Sequence, residues 1–96
     1  MLSYEEKAAY CKRHGYSRFY ELYWQARPGC ECQCGQPSEP PHHIRTRGAG
    51  GEDMHSNLLA LCVTHHRMVH NVGVLRFAEM FPPLAEKMRA AKARRR

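Results

Sequence analysis

The chain carries five cysteines and seven histidines in 96 residues, and most of them fall into two tight groups. That clustering constrains the fold more than any other feature. Cys30, Cys32 and Cys34 lie within Gly29-Cys30-Glu31-Cys32-Gln33-Cys34-Gly35, and His42-His43 follow. Cys62, His65, His66 and His70 form the second group, with His55 upstream, while Cys11 and His14 stand alone near the start. An odd cysteine count without a secretory signal argues against a disulfide framework. Two Cys/His groups this close in sequence read instead as two halves of a metal site.

Size points the same way. A domain of 96 residues buries little apolar surface, so a metal, disulfides or a partner chain is expected to supplement its core. Apolar residues at 43% and charged residues at 25% match a folded soluble chain rather than a disordered one. No apolar run approaches the roughly 20 residues of a membrane-spanning helix. The start, Met1-Leu2-Ser3-Tyr4-Glu5-Glu6, lacks the basic and apolar regions of a signal peptide, so a cytoplasmic location without membrane contact is expected. Fifteen Lys and Arg against nine acidic residues give +6, which favours a polyanionic partner. From Leu84 onward, Lys87, Arg89, Lys92, Arg94, Arg95 and Arg96 face a single acid, Glu86, so this stretch carries +5 of the total. It is either a solvated tail or a phosphate-contacting arm, and charge alone does not choose.

Ser3-Tyr4-Glu5-Glu6 is a capping box that starts a helix from about Tyr4 to Arg13, stopped by Gly15. Ser17 caps a second helix through about Ala26, with Phe19, Tyr20, Tyr23, Trp24 and Ala26 at near-helical spacing and Pro28-Gly29 ending it. These aromatics read as core rather than as a platform for nucleobases. Pro40-Pro41 excludes helix, His42 to Arg45 reads as a short strand, and Thr46 to Asn57 reads as a glycine-containing loop. Leu58-Leu59-Ala60-Leu61 is a short buried element, the second strand of a hairpin. Val63 to about His70 suits a helix. Two more helical pieces, Leu75 to Phe81 and Leu84 to about Ala93, are divided by Pro82-Pro83.

A zinc ribbon brings four soft donors together from two tight knuckles. Cys62-Val63-Thr64-His65 supplies one pair at the usual spacing, and Cys34-Gly35 ends the other. The partner of Cys34 is Cys30 or Cys32; Cys30 is preferred, because a single intervening residue leaves little room for both sulfurs to face one ion. The remaining histidines suggest a second site. His66 and His70 are four apart, so their rings share one face of a helix, while His65 projects about 100° away toward the other ion. Cys11 reads as packing, and His14 and His55 as structural or surface residues.

Pro41-His42-His43-Ile44, a glycine-containing loop, Ser56-Asn57-Leu58-Leu59-Ala60-Leu61-Cys62, and then His65-His66-Arg67-Met68-Val69-His70 resembles the HNH endonucleases that bear a zinc ribbon. The likeness covers about Cys30 to Asn71. It implies a small α+β fold with a ββα-metal core, a two-stranded hairpin packed on one helix, flanked by N- and C-terminal helices. By position, it implies that His43 is the general base and His42 a metal ligand. Asn57 would hold the hairpin loop and orient His43. His66 and His70 would complete the catalytic metal site, and Cys30, Cys34, Cys62 and His65 would hold structural zinc. The sequence departs from the pattern at His65, where ribbon-bearing relatives usually have Cys, and in the irregular first knuckle.

Imidazole, with an ordinary pKa near 6.5, can take a proton from water at physiological pH. A divalent cation such as Mg²⁺ or Mn²⁺ can clamp a phosphate and stabilise a leaving oxygen. Arg45, Arg47 and Arg67 flank the site, with Arg45 and Arg67 expected to contact DNA. Consecutive residues in a flat strand face opposite ways, so the hairpin must bend near His42-His43 to bring both into one site.

The expected organisation is one domain with a helical extension at 1–28, the metal-bearing core at 29–72, and helices with a basic tail at 73–96. The expected function is hydrolysis of DNA phosphodiester bonds, by nicking or cleavage with weak sequence preference. Concerted cutting of both strands would need two copies, a homodimer. By analogy the setting is a bacterial or phage-infected cell, as for phage or mobile-element enzymes. The alternatives are a zinc-ribbon module that binds nucleic acid without catalysis, and an adaptor that the knuckle only stabilises.

Overall fold

Ser3 starts the first helix as its sequence requires. Its hydroxyl accepts from the Glu6 amide at 3.1 Å, and the Glu6 carboxylate accepts from the Ser3 amide at 2.9 Å. In this computed structural model, which describes residues 2–93, α1 spans Tyr4–His14 and α2 spans Arg18–Ala26. Arg94, Arg95 and Arg96, the end of the basic tail, lie outside the described residues. Ser17 caps α2 through the Tyr20 amide at 3.3 Å. The hairpin follows, with β1 at His42–His43 and β2 at Leu58–Leu59 pairing antiparallel, His42 opposite Leu59 and His43 opposite Leu58. Then come α3 (Val63–Val72), α4 (Val74–Met80) and α5 (Pro82–Ala93). The result is a small α+β fold of five helices and one two-stranded sheet among the described residues. Its radius of gyration, 12.7 Å, is close to the roughly 12.5 Å expected of a compact chain this long.

β2 organises the interior. Leu58 and Ala60 pack with Cys11, Tyr20, Tyr23 and Trp24 from α1 and α2. Leu59 and Leu61 join Cys30, Ile44, Cys62, Val69, Phe77 and Met88 on the side of α3 to α5. Alternate side chains of an extended segment point to opposite faces, so four consecutive apolar residues serve two cores at once. All four are at most 1% exposed.

Several expectations shift by a few residues for identifiable reasons. The first strand stops at His43 instead of reaching Arg45, because the Arg45 amide leaves the ladder and donates to the Asn57 side chain at 2.8 Å. The loop to Asn57 holds two single turns of 3-10 helix, Arg47–Ala49 and His55–Asn57. Phe19 is 65% exposed rather than core, since the buried stripe runs through Tyr20, Tyr23 and Trp24 and position 19 falls outside it. Pro82 and Pro83 separate α4 from α5, yet they open α5 rather than precede it. Prolines fit a first helical turn, where backbone N–H groups have no partner in the helix.

Ala60 and Leu61, expected to continue the strand, turn their hydrogen bonds to the cysteine segment. The Glu31 amide donates to Ala60 at 2.8 Å, the Ala60 amide donates to the Glu31 carboxylate at 2.8 Å, and the Glu39 amide donates to Leu61 at 2.7 Å. Glu31 also accepts from the Tyr23 hydroxyl, which in turn accepts from Lys87 Nζ at 2.6 Å. One carboxylate thus joins α2, the knuckle and the residue that follows β2, and reaches α5 through the Tyr23 hydroxyl.

Candidate metal centres

Two groups of metal-ligating side chains emerge, one on each side of α3. The first joins Cys30 and Cys34 from the knuckle to Cys62 and His65. Cys62 is also the N-cap of α3, so the turn that starts the helix delivers both Cys62 and His65. The knuckle closes through left-handed residues, Gln33 at φ 60° and Gly35 at φ 84°. Sγ of Cys62 lies 3.2 Å from Nδ1 of His65 and 3.7 Å from Sγ of Cys34, and Sγ of Cys30 lies 3.6 Å from Nδ1 of His65. Tetrahedral Zn–S bonds of about 2.3 Å require S···S separations of about 3.8 Å, with N···S slightly shorter. The four donors therefore stand close enough to hold a metal ion, and three sulfurs with one imidazole are compatible with zinc. The structure brings Cys30, not Cys32, into this group. Cys32 packs against the neighbouring core, and burial together with the adjacent Cys30 pushes its thiol up to about 12.

The second group is His42, His66 and His70, whose ring nitrogens lie within 4.8 Å of one another and could hold a metal ion. His66 and His70 occupy one face of α3, with ring centroids 5.0 Å apart. His42, projecting from β1, meets them edge-on at 5.2 and 5.0 Å. Burial, reinforced by the charges of His66 and His70, pushes His42 down to about 3. Burial and His70 likewise lower His66, with Glu39 opposing; its Oε1 stands 3.5 Å from His66 Nδ1. Neutral rings with free lone pairs are what metal binding requires. Unlike the first group this one offers three donors, so an ion there would keep open positions.

His43 faces a different wall. Its ring lies against Tyr20 at 5.4 Å and Tyr16 at 5.7 Å, and its Nε2 is 2.6 Å from Oδ1 of Asp53. The alternation of a strand is thus retained, and both His42 and His43 still line one cleft of about 390 Å³. His66, His70, Glu39, Tyr10 and Arg47 line it too.

Asn57 requires a correction. It is 3% exposed and does hold the hairpin loop, accepting from the Arg45 amide at 2.8 Å and donating to Arg45 and Glu52 carbonyls at 3.0 Å. Its hydrogen bonds go to these loop backbone groups and not to His43, whose ring is bonded instead by the carboxylate of Asp53. Neither Asp53 nor Glu39 was singled out by the sequence, because each is an acid in a turn-rich segment with no local pattern around it. Arg67 is exposed beside His66 and His70. Arg45 is half-buried, with Nε donating to the Ala49 carbonyl at 2.9 Å and Nη1 to the Lys92 carbonyl at 3.5 Å, which links loop and α5. Arg47 lies over the Tyr16 ring at 5.2 Å. Cys11 is buried in the α1–α2 core, and that burial lifts its thiol to about 11. His14 and His55 are exposed and pack on Tyr10 and Tyr23.

The loop also depends on Gly51. A Cβ there would sit 1.7 Å from the Arg45 carbonyl oxygen and 2.8 Å from the Asn57 amide nitrogen. Gly51→Ala should therefore break the Asn57 contacts and lower stability by about 3 kcal/mol in urea titrations. A change below about 0.5 kcal/mol would show that the loop is not held this way.

No family model matches the sequence, and no curated protein or solved structure gives a significant match. Among the described residues no helix is long and apolar enough to cross a membrane.

Proposed function

We propose that the protein is a metal-dependent endonuclease of the HNH type, built on a ββα-metal core with a zinc ribbon, and that it hydrolyses DNA phosphodiester bonds. One observation carries this reading: an open three-histidine group and a further histidine, His43, line the same cleft. A binding module needs the four-donor centre but has no use for the second group.

His43 takes the proton of the attacking water as the new P–O bond forms and the bond to the 3′ oxygen breaks. A divalent ion on His42, His66 and His70 would supply positive charge at the scissile phosphate and the leaving oxygen. Three imidazoles suit Mn²⁺ or another first-row transition ion better than Mg²⁺, which prefers oxygen donors. Arg67, and the +6 net charge generally, would attract the phosphate backbone. A chain of 11.1 kDa offers little surface for reading bases, which fits weak sequence preference.

The test is nicking of supercoiled plasmid with Mn²⁺ or Mg²⁺, with and without chelator, by wild type and His43→Ala. Removal of the base should slow nicking by about 10²- to 10⁴-fold at a temperature where circular dichroism shows the variant folded. Equal rates would reject His43 as the base. Tight DNA binding without cleavage under any divalent ion would favour the nucleic-acid-binding module.

A further inference from the structure

His43 is held by a carboxylate from the far end of the hairpin loop. Nε2 lies 2.6 Å from Asp53 Oδ1, while Asp53 Oδ2 accepts from the Ser17 amide at 2.8 Å. The two side chains are 11% and 13% exposed, so water competes weakly for either bond. Burial pushes the Asp53 carboxyl up, but the bonds from His43 and Ser17 outweigh it and leave the group below its ordinary value. An ionised carboxylate only accepts, so the hydrogen between these atoms belongs to Nε2 of the imidazole. The ring cannot rotate freely either, being stacked on Tyr20 at 21° between planes. Tyr20 is itself fixed by its hydroxyl on the Pro41 carbonyl at 2.7 Å.

We propose that Asp53 is a positioning residue that holds His43 as the Nε2–H tautomer, leaving Nδ1 as its proton-accepting nitrogen. The carboxylate then steadies the imidazolium that forms when His43 takes up a proton, as buried acids do beside catalytic histidines. This rests on the reading of His43 as a general base. It also gives the α1–α2 extension a task outside the metal-bearing segment. Ser17 opens α2, its hydroxyl caps the helix, and its amide anchors Asp53. The N-terminal helices thereby reach the reacting group through two hydrogen bonds.

Two readouts test it. Long-range ¹H–¹⁵N spectra of the wild type at neutral pH should show His43 protonated at Nε2 and bare at Nδ1. Asp53→Asn keeps the size of the side chain but sets an amide N–H against one of the two donors, so that spectrum should become a mixture of tautomers. The kcat for plasmid nicking should fall about 10²-fold with KM and melting temperature little changed. Asp53→Glu should recover part of the loss. A wild-type ring protonated at Nδ1, or an Asp53→Asn variant with unchanged kcat, would overturn the assignment. The spectrum needs no turnover. If the wild type shows the Nε2–H tautomer but nicks no DNA, the arrangement stands and the endonuclease reading fails.

Discussion

Chelation of the metal ion that Cys30, Cys34, Cys62 and His65 could hold, or the substitution Cys62→Ser, is expected to remove the cooperative unfolding transition altogether. Cys30 and Cys62 belong to the larger apolar core and are 6% and 3% exposed. Without a metal, three thiols and an imidazole would be left crowded together at the edge of that core. Structural zinc contributes about 10–16 kcal/mol to folding in small zinc-binding peptides. Whole domains are stable by only about 5–15 kcal/mol. The first quantity rivals the second, so no reserve remains once the ion is gone. Zinc content and circular dichroism melts of wild type and Cys62→Ser would measure it. A metal-free sample that melts cooperatively within a few degrees of the wild type would show that apolar packing suffices.

The opposite pattern is expected at the other centre. His66→Ala with His70→Ala should keep the zinc and the melting curve but lose nicking by about 10³-fold or more, since an ion supplies several kcal/mol of charge stabilisation at the phosphate. His66 is only half-buried and His70 is exposed, and neither belongs to a core cluster. Alanine inside a helix favours it, so the substitutions leave α3 intact. Nicking rates at saturating Mn²⁺ and thermal melts of the same preparations separate the two effects. A double variant that nicks at the wild-type rate would place the chemistry elsewhere, and one that fails to fold would make this centre structural.

How far the amino-acid order revealed this arrangement depended on the range of the forces involved. The Ser3 capping box, the Ser17 cap and the Cys62–His65 pair act over three or four residues, so they were legible directly. The spacing of His66 and His70 also implied a shared face, because helical geometry is local. Failures came where distant segments decide. Phe19 looked like its aromatic neighbours until the packing of α2 on β2 selected Tyr20, Tyr23 and Trp24. Asn57 was assigned to His43 by position, but its amide is consumed by Arg45 and Glu52 backbone groups. Asp53 reaches His43 only because the loop folds back over ten residues, and no local pattern announces it. Glu31 stands between two cysteines with no sequence signal of its own, yet it joins Tyr23 and Ala60 across the fold.

The decisive experiment loads the protein with a single zinc, then follows plasmid nicking and ion binding together as Mn²⁺ is added. One further ion should bind, with nicking rising in proportion to its occupancy and both signals disappearing in the His66/His70 double variant. A zinc-loaded chain that binds no second ion, or binds one and leaves the plasmid supercoiled at every Mn²⁺ concentration, would contradict a hydrolytic centre at His42, His66 and His70.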